Sequence, residues 1–283
     1  MFADSPFASD NFRHAFLVAL AAWRFVVAGR LVASSPGARP PLGHLDVLAL
    51  LLAALCHDLE HPGTTNAFQV NTGSVLAQRY NDASVLENHH CAVATSMLEA
   101  SGILAALSSD ERKALRKALI TAILATDMSV HKDLLARVSA QVNEASSGAG
   151  VESAAGFSRE LPEHRELLVS FLLHCADLCC PLAPPQMSRR IAESLSVEFA
   201  RQAERERAEG LPITVPVAKD ENAKAKMEQG FIDYVVRPLY LTLAVVAPGL
   251  GPRCLAAIEC NRAAWAEVIT VSDSENGSSR RSG

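Results

Sequence analysis

The chain has 283 residues, 49% of them hydrophobic and 20% charged, which excludes a disordered chain and is enough to bury a core without disulfide or metal staples. Its 26 basic and 31 acidic residues give a net charge of −5 and form no long basic run, so the basic stripe of a nucleic-acid reader is excluded. Seven cysteines, with Cys179 and Cys180 adjacent and no CxxC, suit the reduced thiols of a cytoplasmic protein better than a secreted disulfide framework.

Helical periodicity dominates, and few stretches alternate as strands do. Asn11 to Ala33 reads as one helix, closed by Ser-Ser-Pro-Gly at 34–37. Arg24 and Arg30 interrupt its apolar run, so it is no membrane span. A cleavable signal peptide is an alternative, with Ala15–Trp23 as its apolar region and Ala33-Ser34-Ser35 as its cleavage site; it would remove His14. Leu45 to Cys56 is apolar nearly all round, too short to span a bilayer, and predicts a central buried helix stopped by Pro62-Gly63. Val85 to Glu99 is a further helix, ended by Gly102, and Ser109-Asp110-Glu111-Arg112 opens another that runs toward Thr126. Ala145 to Gly156 reads as a long loop. Leu161 to Cys180, Ala192 to Glu209, Glu221 to Leu243 and Cys254 to Ile269 complete the helices, and composition makes 272–283 a disordered tail. With no repeat and no long linker, residues 1–271 form one all-α domain. Trp23, Phe25, Phe171 and Trp265 are assigned to the core, His44 and His164 to the surface or to packing, and Arg201–Glu209 to a solvated helix face.

The histidines are clustered. His57, Asp58, Glu60 and His61 share one helical turn, Glu87, His89 and His90 lie near the start of the next main helix, and His174 and Asp177 sit on a later one. Divalent cations want imidazole and carboxylate ligands from several rigid elements, and adjacent His57-Asp58 suits a carboxylate shared between two ions. The bland alternative is that these charges merely end a helix and face water. The apolar run before them opposes it, because an unpaired carboxylate at a buried helix end is costly. His57 and His61 have the i, i+4 spacing of zinc peptidases, but Asp58 stands where those need Glu. Glu87-Asn88-His89-His90 contains one ExxH, where di-iron bundles need two. A purely structural cluster remains an alternative at this point.

His57-Asp58-Leu59-Glu60-His61-Pro62-Gly63, then Asn66, then Tyr80-Asn81-Asp82-Ala83-Ser84-Val85-Leu86-Glu87-Asn88-His89-His90, closely resembles the catalytic domain of class I cyclic nucleotide phosphodiesterases. The resemblance continues through Asn11-Phe12-Arg13-His14, Leu124–Met128, Cys175–Leu178, Glu209–Pro212 and Gly230–Tyr234, in family order and over nearly the whole chain. The Asn11–His14 and Glu87–Ala94 blocks look most like the cGMP-specific type nine branch. The resemblance implies an all-α, compact multi-helix bundle of the phosphodiesterase/HD-type metal hydrolase fold. Helices that usually precede the Asn11 block are lacking, so the chain reads as N-terminally short.

Carried over residue by residue, the resemblance implies two divalent ions, zinc and magnesium or manganese. His14, His57, Asp58 and Asp177 match the metal ligands, with Asp58 reaching both ions. His61, Glu87 and His90 match groups around the attacking water and phosphate, and Thr126 and Asp127 match positions near the second ion's water shell. Phe231 matches the aromatic that stacks on the purine. Four positions depart from the family. Where its Tyr-His-Asn carries the His that protonates the leaving O3′, this chain has Ser9-Asp10-Asn11. The purine-reading Gln falls on Glu228, with Gln229 one residue out of register. An Asn three residues after the metal Asp is Cys180, and an Asp in the metal motif is Glu60.

The expectation is hydrolysis of a 3′,5′-cyclic nucleotide to the 5′-monophosphate in cyclic nucleotide signalling, with cGMP favoured over cAMP. The alternatives are a catalytically impaired homologue that binds a nucleotide or a protein partner without turnover, and a hydrolase of another phosphoester. A homodimer is allowed, while charge and hydropathy predict no nucleic-acid partner and no membrane span.

Overall fold

The computed structural model describes residues 8–32, 40–146 and 156–279; the side chains of 8–11, 145–146 and 270–279 lie outside that description. Among the described residues the secondary structure is helical, with no strand. The chain divides into two compact units, one of residues 1–177 and 242–250, the other of residues 178–241 and 251–283.

The first unit contains α1 (Ala8–Ala28), α2 (His44–Cys56), the short α3 (Asn66–Asn71) and α4 (Val75–Tyr80), α5 (Val85–Ser101), α6 (Ser109–Leu124), α7 (His131–Ser146) and α8 (Pro162–Asp177). Helix α2 packs against α1, α5, α6 and α8. Its Val47, Ala49, Leu50, Ala53 and Ala54 are buried, and its alanines let neighbouring backbones approach closely. The expected central helix is therefore found. Its C-terminal end delivers His57 and Asp58 into the same packed surroundings.

Helix α1 ends at Ala28, five residues before the expected Ala33. The Leu31 N–H reaches back to the Val26 carbonyl at 2.9 Å and Arg30 turns left-handed at φ 55°, a Schellman-type stop that the apolar pattern hides. Gly29 sits where a Cβ would lie 2.9 Å from the Ala247 Cβ. Ala15, Val18, Ala22, Phe25 and Val26 bury one stripe of α1, so α1 packs as a core helix. Trp23 is corrected: it falls off that stripe and is 46% exposed.

Three helices were not expected. Helices α3 and α4, capped by Thr65 and Ser74, are too short to show a period. Helix α7 had a signal, since Leu134, Val138 and Val142 are buried at i, i+4 and i+8. Helix α6 starts on a capping box between Ser108 and Glu111. Most of the segment expected as a loop, 147–155, lies outside the described residues.

The second unit contains a 3₁₀ turn (Cys180–Leu182), α9 (Pro185–Ala208), α10 (Glu221–Phe231), a π-helical stretch (Ile232–Val236), the start of α11 (Arg237–Val246) and α12 (Gly251–Ser279). Helices α10 and α12 pack together, with Ala225, Ile258 and Trp265 buried. Asn261 donates to the Pro181 and Ala183 carbonyls at 2.9 and 2.8 Å, tying the 3₁₀ turn to α12. The solvated reading of Arg201–Glu209 is corrected at Gln202, Ala203 and Glu206, all buried. Glu206 accepts from the Thr214 N–H at 3.0 Å and from Gln202 at 3.0 Å, so the charge is matched inside rather than hydrated. The disordered reading of 272–283 is corrected as far as Ser279: α12 continues that far, because extending a formed helix is far easier than nucleating one. Residues 280–283 lie outside the described part.

Candidate metal centre and active site

Four polar side chains converge in the first unit. His14 comes from α1, His57 and Asp58 from the end of α2, and Asp177 from the last residue of α8. His14 Nε2 lies 3.0 Å from Asp177 Oδ1 and 3.6 Å from Asp58 Oδ2. His57 Nε2 lies 3.2 Å from Asp177 Oδ1, 3.4 Å from Asp58 Oδ2 and 3.3 Å from His14 Nε2. A tetrahedral ion with bonds of about 2.0–2.1 Å needs ligand atoms about 3.3–3.4 Å apart. The five separations scatter around that value.

The chemistry of these donors also demands a cation. His57 Nδ1–H donates to the Ala54 carbonyl at 2.9 Å, which turns the Nε2 lone pair toward two carboxylates and a second imidazole. Such a set repels itself unless a positive charge sits among it. A proton meets that demand in the metal-free protein. Burial opposes charge on His57, but Asp58 and Asp177 outweigh it and push its pKa up to about 10. Burial likewise opposes charge on Asp177, yet His57 and His14 hold its carboxyl below the usual carboxylate range. Asp58 is lowered too, against its own burial, by His57 and His61. The residues fit a divalent ion.

Asp58 faces two ways. Its Oδ2 belongs to the four-residue cluster, while Oδ1 lies 4.0 Å from His90 Nε2. His90 Nδ1–H donates to the Leu59 carbonyl at 2.6 Å, leaving Nε2 bare, and burial pushes its pKa down to about 4 despite Asp58. His61 stacks on His90 at 5.8 Å, and its Nδ1 accepts from the Gly63 N–H at 3.2 Å. Glu87 accepts from Asn66 Nδ2 at 2.9 and 3.2 Å. Burial raises its pKa to about 7, helped by the nearby charges of Asp127 and Asp58 and opposed by Asn66. Asp58 and Asp127 thus lie within electrostatic reach of Glu87, an acidic group that suits the water shell of a hard ion.

Asp127 is buried; its Oδ2 accepts from Ser84 Oγ at 2.7 Å and its Oδ1 from the Ser129 N–H at 2.8 Å. Thr126 uses its hydroxyl on the Ile123 carbonyl at 2.7 Å, closing α6. The side chain of Asp10 lies outside the described residues. Glu228 and Phe231 are half-buried on α10 in the second unit. Burial raises the Glu228 pKa and Lys224 works against it. Gln229 is engaged, its Nε2 donating to the Arg262 carbonyl at 3.2 Å.

Sequence reasoning missed the groups that hold these residues. Asn66 stands in the recognised string, but its grip on Glu87 could not be read there. A buried pair, His131 Nδ1 and His174 Nε2 at 2.8 Å, joins the start of α7 to α8 one turn before Asp177. His174 was noted beside Asp177; His131 carried no signal of its own.

A family model described as 3′5′-cyclic nucleotide phosphodiesterase matches residues 10–256. High affinity cGMP-specific 3′,5′-cyclic phosphodiesterase 9A of Homo sapiens is 32% identical over 274 residues, which are 96% of this chain and 43% of that protein. The 3′,5′-cyclic-AMP phosphodiesterase 4C of Mus musculus is 36% identical over 240 residues, 84% of this chain and 34% of that protein. The crystal structure of the phosphodiesterase domain of the RhoPDE fusion protein from the choanoflagellate Salpingoeca rosetta superimposes with a TM-score of 0.82 at 34% identity, covering 93% of this chain and 78% of that one. The chain spans less than half the length of these curated relatives.

Proposed function

Since the chain belongs to the 3′,5′-cyclic nucleotide phosphodiesterase family, we propose that it hydrolyses a 3′,5′-cyclic nucleotide to the nucleoside 5′-monophosphate, with cGMP favoured over cAMP. The observation that carries this reading is the convergence of His14, His57, Asp58 and Asp177 beside the acidic group of Asp58, Glu87 and Asp127. The first four would hold zinc, and Asp58 would also reach magnesium or manganese, whose water shell Glu87 and Asp127 would face. When bound, such a pair supplies Lewis-acid polarisation of the phosphate and activation of the attacking water.

The protein's own groups handle protons and orientation. His90 is neutral with Nε2 bare, which suits it to accept a hydrogen bond from the attacking water. Glu87, held by Asn66, can take up that water's proton. His61, stacked on His90, is assigned to the phosphate. Thr126 and Asp127 are assigned to the water shell of the second ion.

Two positions shape the outcome. By the resemblance Asp10 takes the position of the His that gives a proton to the leaving O3′, and an ordinary Asp with a pKa of about 3.9 holds none at neutral pH. Turnover is therefore weak, and an impaired homologue that binds nucleotide is the second reading. Phe231 is assigned to stack on the base and Glu228 to read its edge. An ionised carboxylate accepts two hydrogen bonds, which matches the adjacent N1–H and amino donors of guanine. Adenine offers one donor and one acceptor there. The bond from Gln229 to Arg262 favours Glu228 over its neighbour. The relatives' names divide between cGMP and cyclic AMP, so the carboxylate decides the preference. The seven cysteines, none in a disulfide, support a cytoplasmic protein; no described helix is long and apolar enough to cross a membrane.

The test is kcat/KM for cGMP, cAMP and a simple phosphodiester, before and after chelation and return of metal. Metal-dependent turnover of the cyclic nucleotides, fastest for cGMP, is expected. Preference for the simple diester would replace this reading with the broader phosphoester hydrolase.

A further inference from the structure

Ser84 opens α5 without capping it. Its hydroxyl makes no bond to the first N–H groups of that helix and donates instead to Asp127 Oδ2 at 2.7 Å, across 43 residues of sequence. The vacated capping role is filled from elsewhere: Asn66 Oδ1 accepts the Leu86 N–H at 2.9 Å while the same side chain donates to Glu87. Ser84 takes φ 39° and ψ 54°, following Asn81 at φ 54° and Asp82 at φ 60°. Left-handed backbone is unfavourable for residues with a Cβ, and it persists only where surrounding structure imposes it. A Ser hydroxyl is among the best helix N-caps; here it is turned away from that use by a strained backbone and aimed at a buried carboxylate.

Asp127 is the carboxylate whose orientation is at stake. It caps the short 3₁₀ turn Met128–Val130 through the Ser129 N–H, and it lies within electrostatic reach of Glu87 together with Asp58. With one donor on each oxygen, its carboxylate plane is fixed. Without Ser84, the Oδ2 side is free to turn about the bond to Ser129.

We infer that Ser84 is a positioning residue: its strained backbone and hydroxyl set the Asp127 carboxylate in the acidic group, and so set the affinity of the protein for its second divalent ion. This rests on the two-ion reading above. Partners that orient a metal site typically change its affinity about 10–100-fold when removed, and that is the size expected here.

Ser84→Gly and Ser84→Ala separate positioning from folding, because they treat the strain in opposite ways. Both delete the hydroxyl. Glycine relieves the left-handed strain and should melt at or above the parent, whereas alanine retains the strain and should melt below it. The full chain is stripped with chelator, the first site is refilled with zinc, and Mn2+ is titrated by electron paramagnetic resonance. Both variants should bind the second ion about 10–100-fold more weakly than the parent, and their Mn2+ requirement for turnover should rise while KM for the cyclic nucleotide stays constant. Parental Mn2+ affinity in Ser84→Gly overturns the inference, as does an affinity that merely follows melting temperature across the two variants. A parent that takes up no second ion also overturns it. Hydrolysis of cyclic nucleotide by that parent distinguishes this failure from failure of the proposed function.

Discussion

Replacing Glu87 with glutamine should stabilise the metal-free protein, and only above the acid range. Burial pushes the Glu87 carboxyl from its ordinary value of 4.5 up to about 7. The folded state therefore binds a proton that the unfolded chain has already released between those two values. Stability then falls as pH rises through that window, since the unfolded state binds fewer protons there. At about 1.36 kcal/mol for each pKa unit, the ionised carboxylate costs the fold about 3 kcal/mol above pH 7 and nothing below pH 4.5. The substituted glutamine side chain keeps the shape and an oxygen for Asn66 but carries no charge. Urea unfolding of chelator-treated parent and Glu87→Gln should give equal stabilities near pH 4.5 and a gap in favour of the variant of up to about 3 kcal/mol at pH 8. Bound divalent ions should shrink that gap, because they favour the ionised carboxylate, while hydrolysis by the variant should collapse. A stability difference of the same size at both pH values, or a variant less stable at pH 8, would refute the burial argument.

Asp58→Ala or Asp177→Ala should abolish retention of the tightly held ion and all hydrolysis, because each removes a ligand shared among the converging groups; elemental analysis showing full occupancy in either variant would sink the assignment. Asp10→His should raise turnover by up to about 10²–10⁴-fold, the usual worth of general acid catalysis, and unchanged kcat would count against Asp10 as the missing proton donor. The parent should prefer cGMP over cAMP by about 5- to 150-fold, from about 1–3 kcal/mol for a mismatched buried polar group, and Glu228→Gln should erase most of that preference. Because burial raises the Glu228 pKa, the preference should also grow as pH rises and the proton leaves; a preference that is flat with pH in the parent, or intact in Glu228→Gln, would contradict the carboxylate reader.

Much of the site was legible in the sequence because its information is local. His57-Asp58 after an apolar run, the two histidines on α5 and the Asp177 at the end of α8 are short strings whose residue types are those a phosphodiester-cleaving metal site would use, whatever surrounds them. Central burial of α2 was equally readable, since an all-round apolar helix has nowhere else to go. The departures at Asp10, Glu228 and Cys180 were visible for the same reason: a motif shows its own exceptions.

What the tertiary structure alone decided concerns partners distant in sequence. Trp23 and Phe25 are both large, apolar and on one helix, yet Phe25 is buried and Trp23 is 46% exposed, because the face chosen depends on where α2 and α8 lie against α1. Glu206 reads as solvated in a charged run but is buried by Thr214 and Gln202, a bond that exists only once the chain after α9 folds back. The end of α1 at a Schellman turn and the π-helical stretch before α11 likewise follow from hydrogen bonding that no period announces. Most telling is the grip on the acidic residues. Asn66 on Glu87 and Ser84 on Asp127 determine orientation. Motif residue types are dictated by the ion they would bind, whereas their orientation is dictated by hydrogen bonds closed only after distant segments have packed.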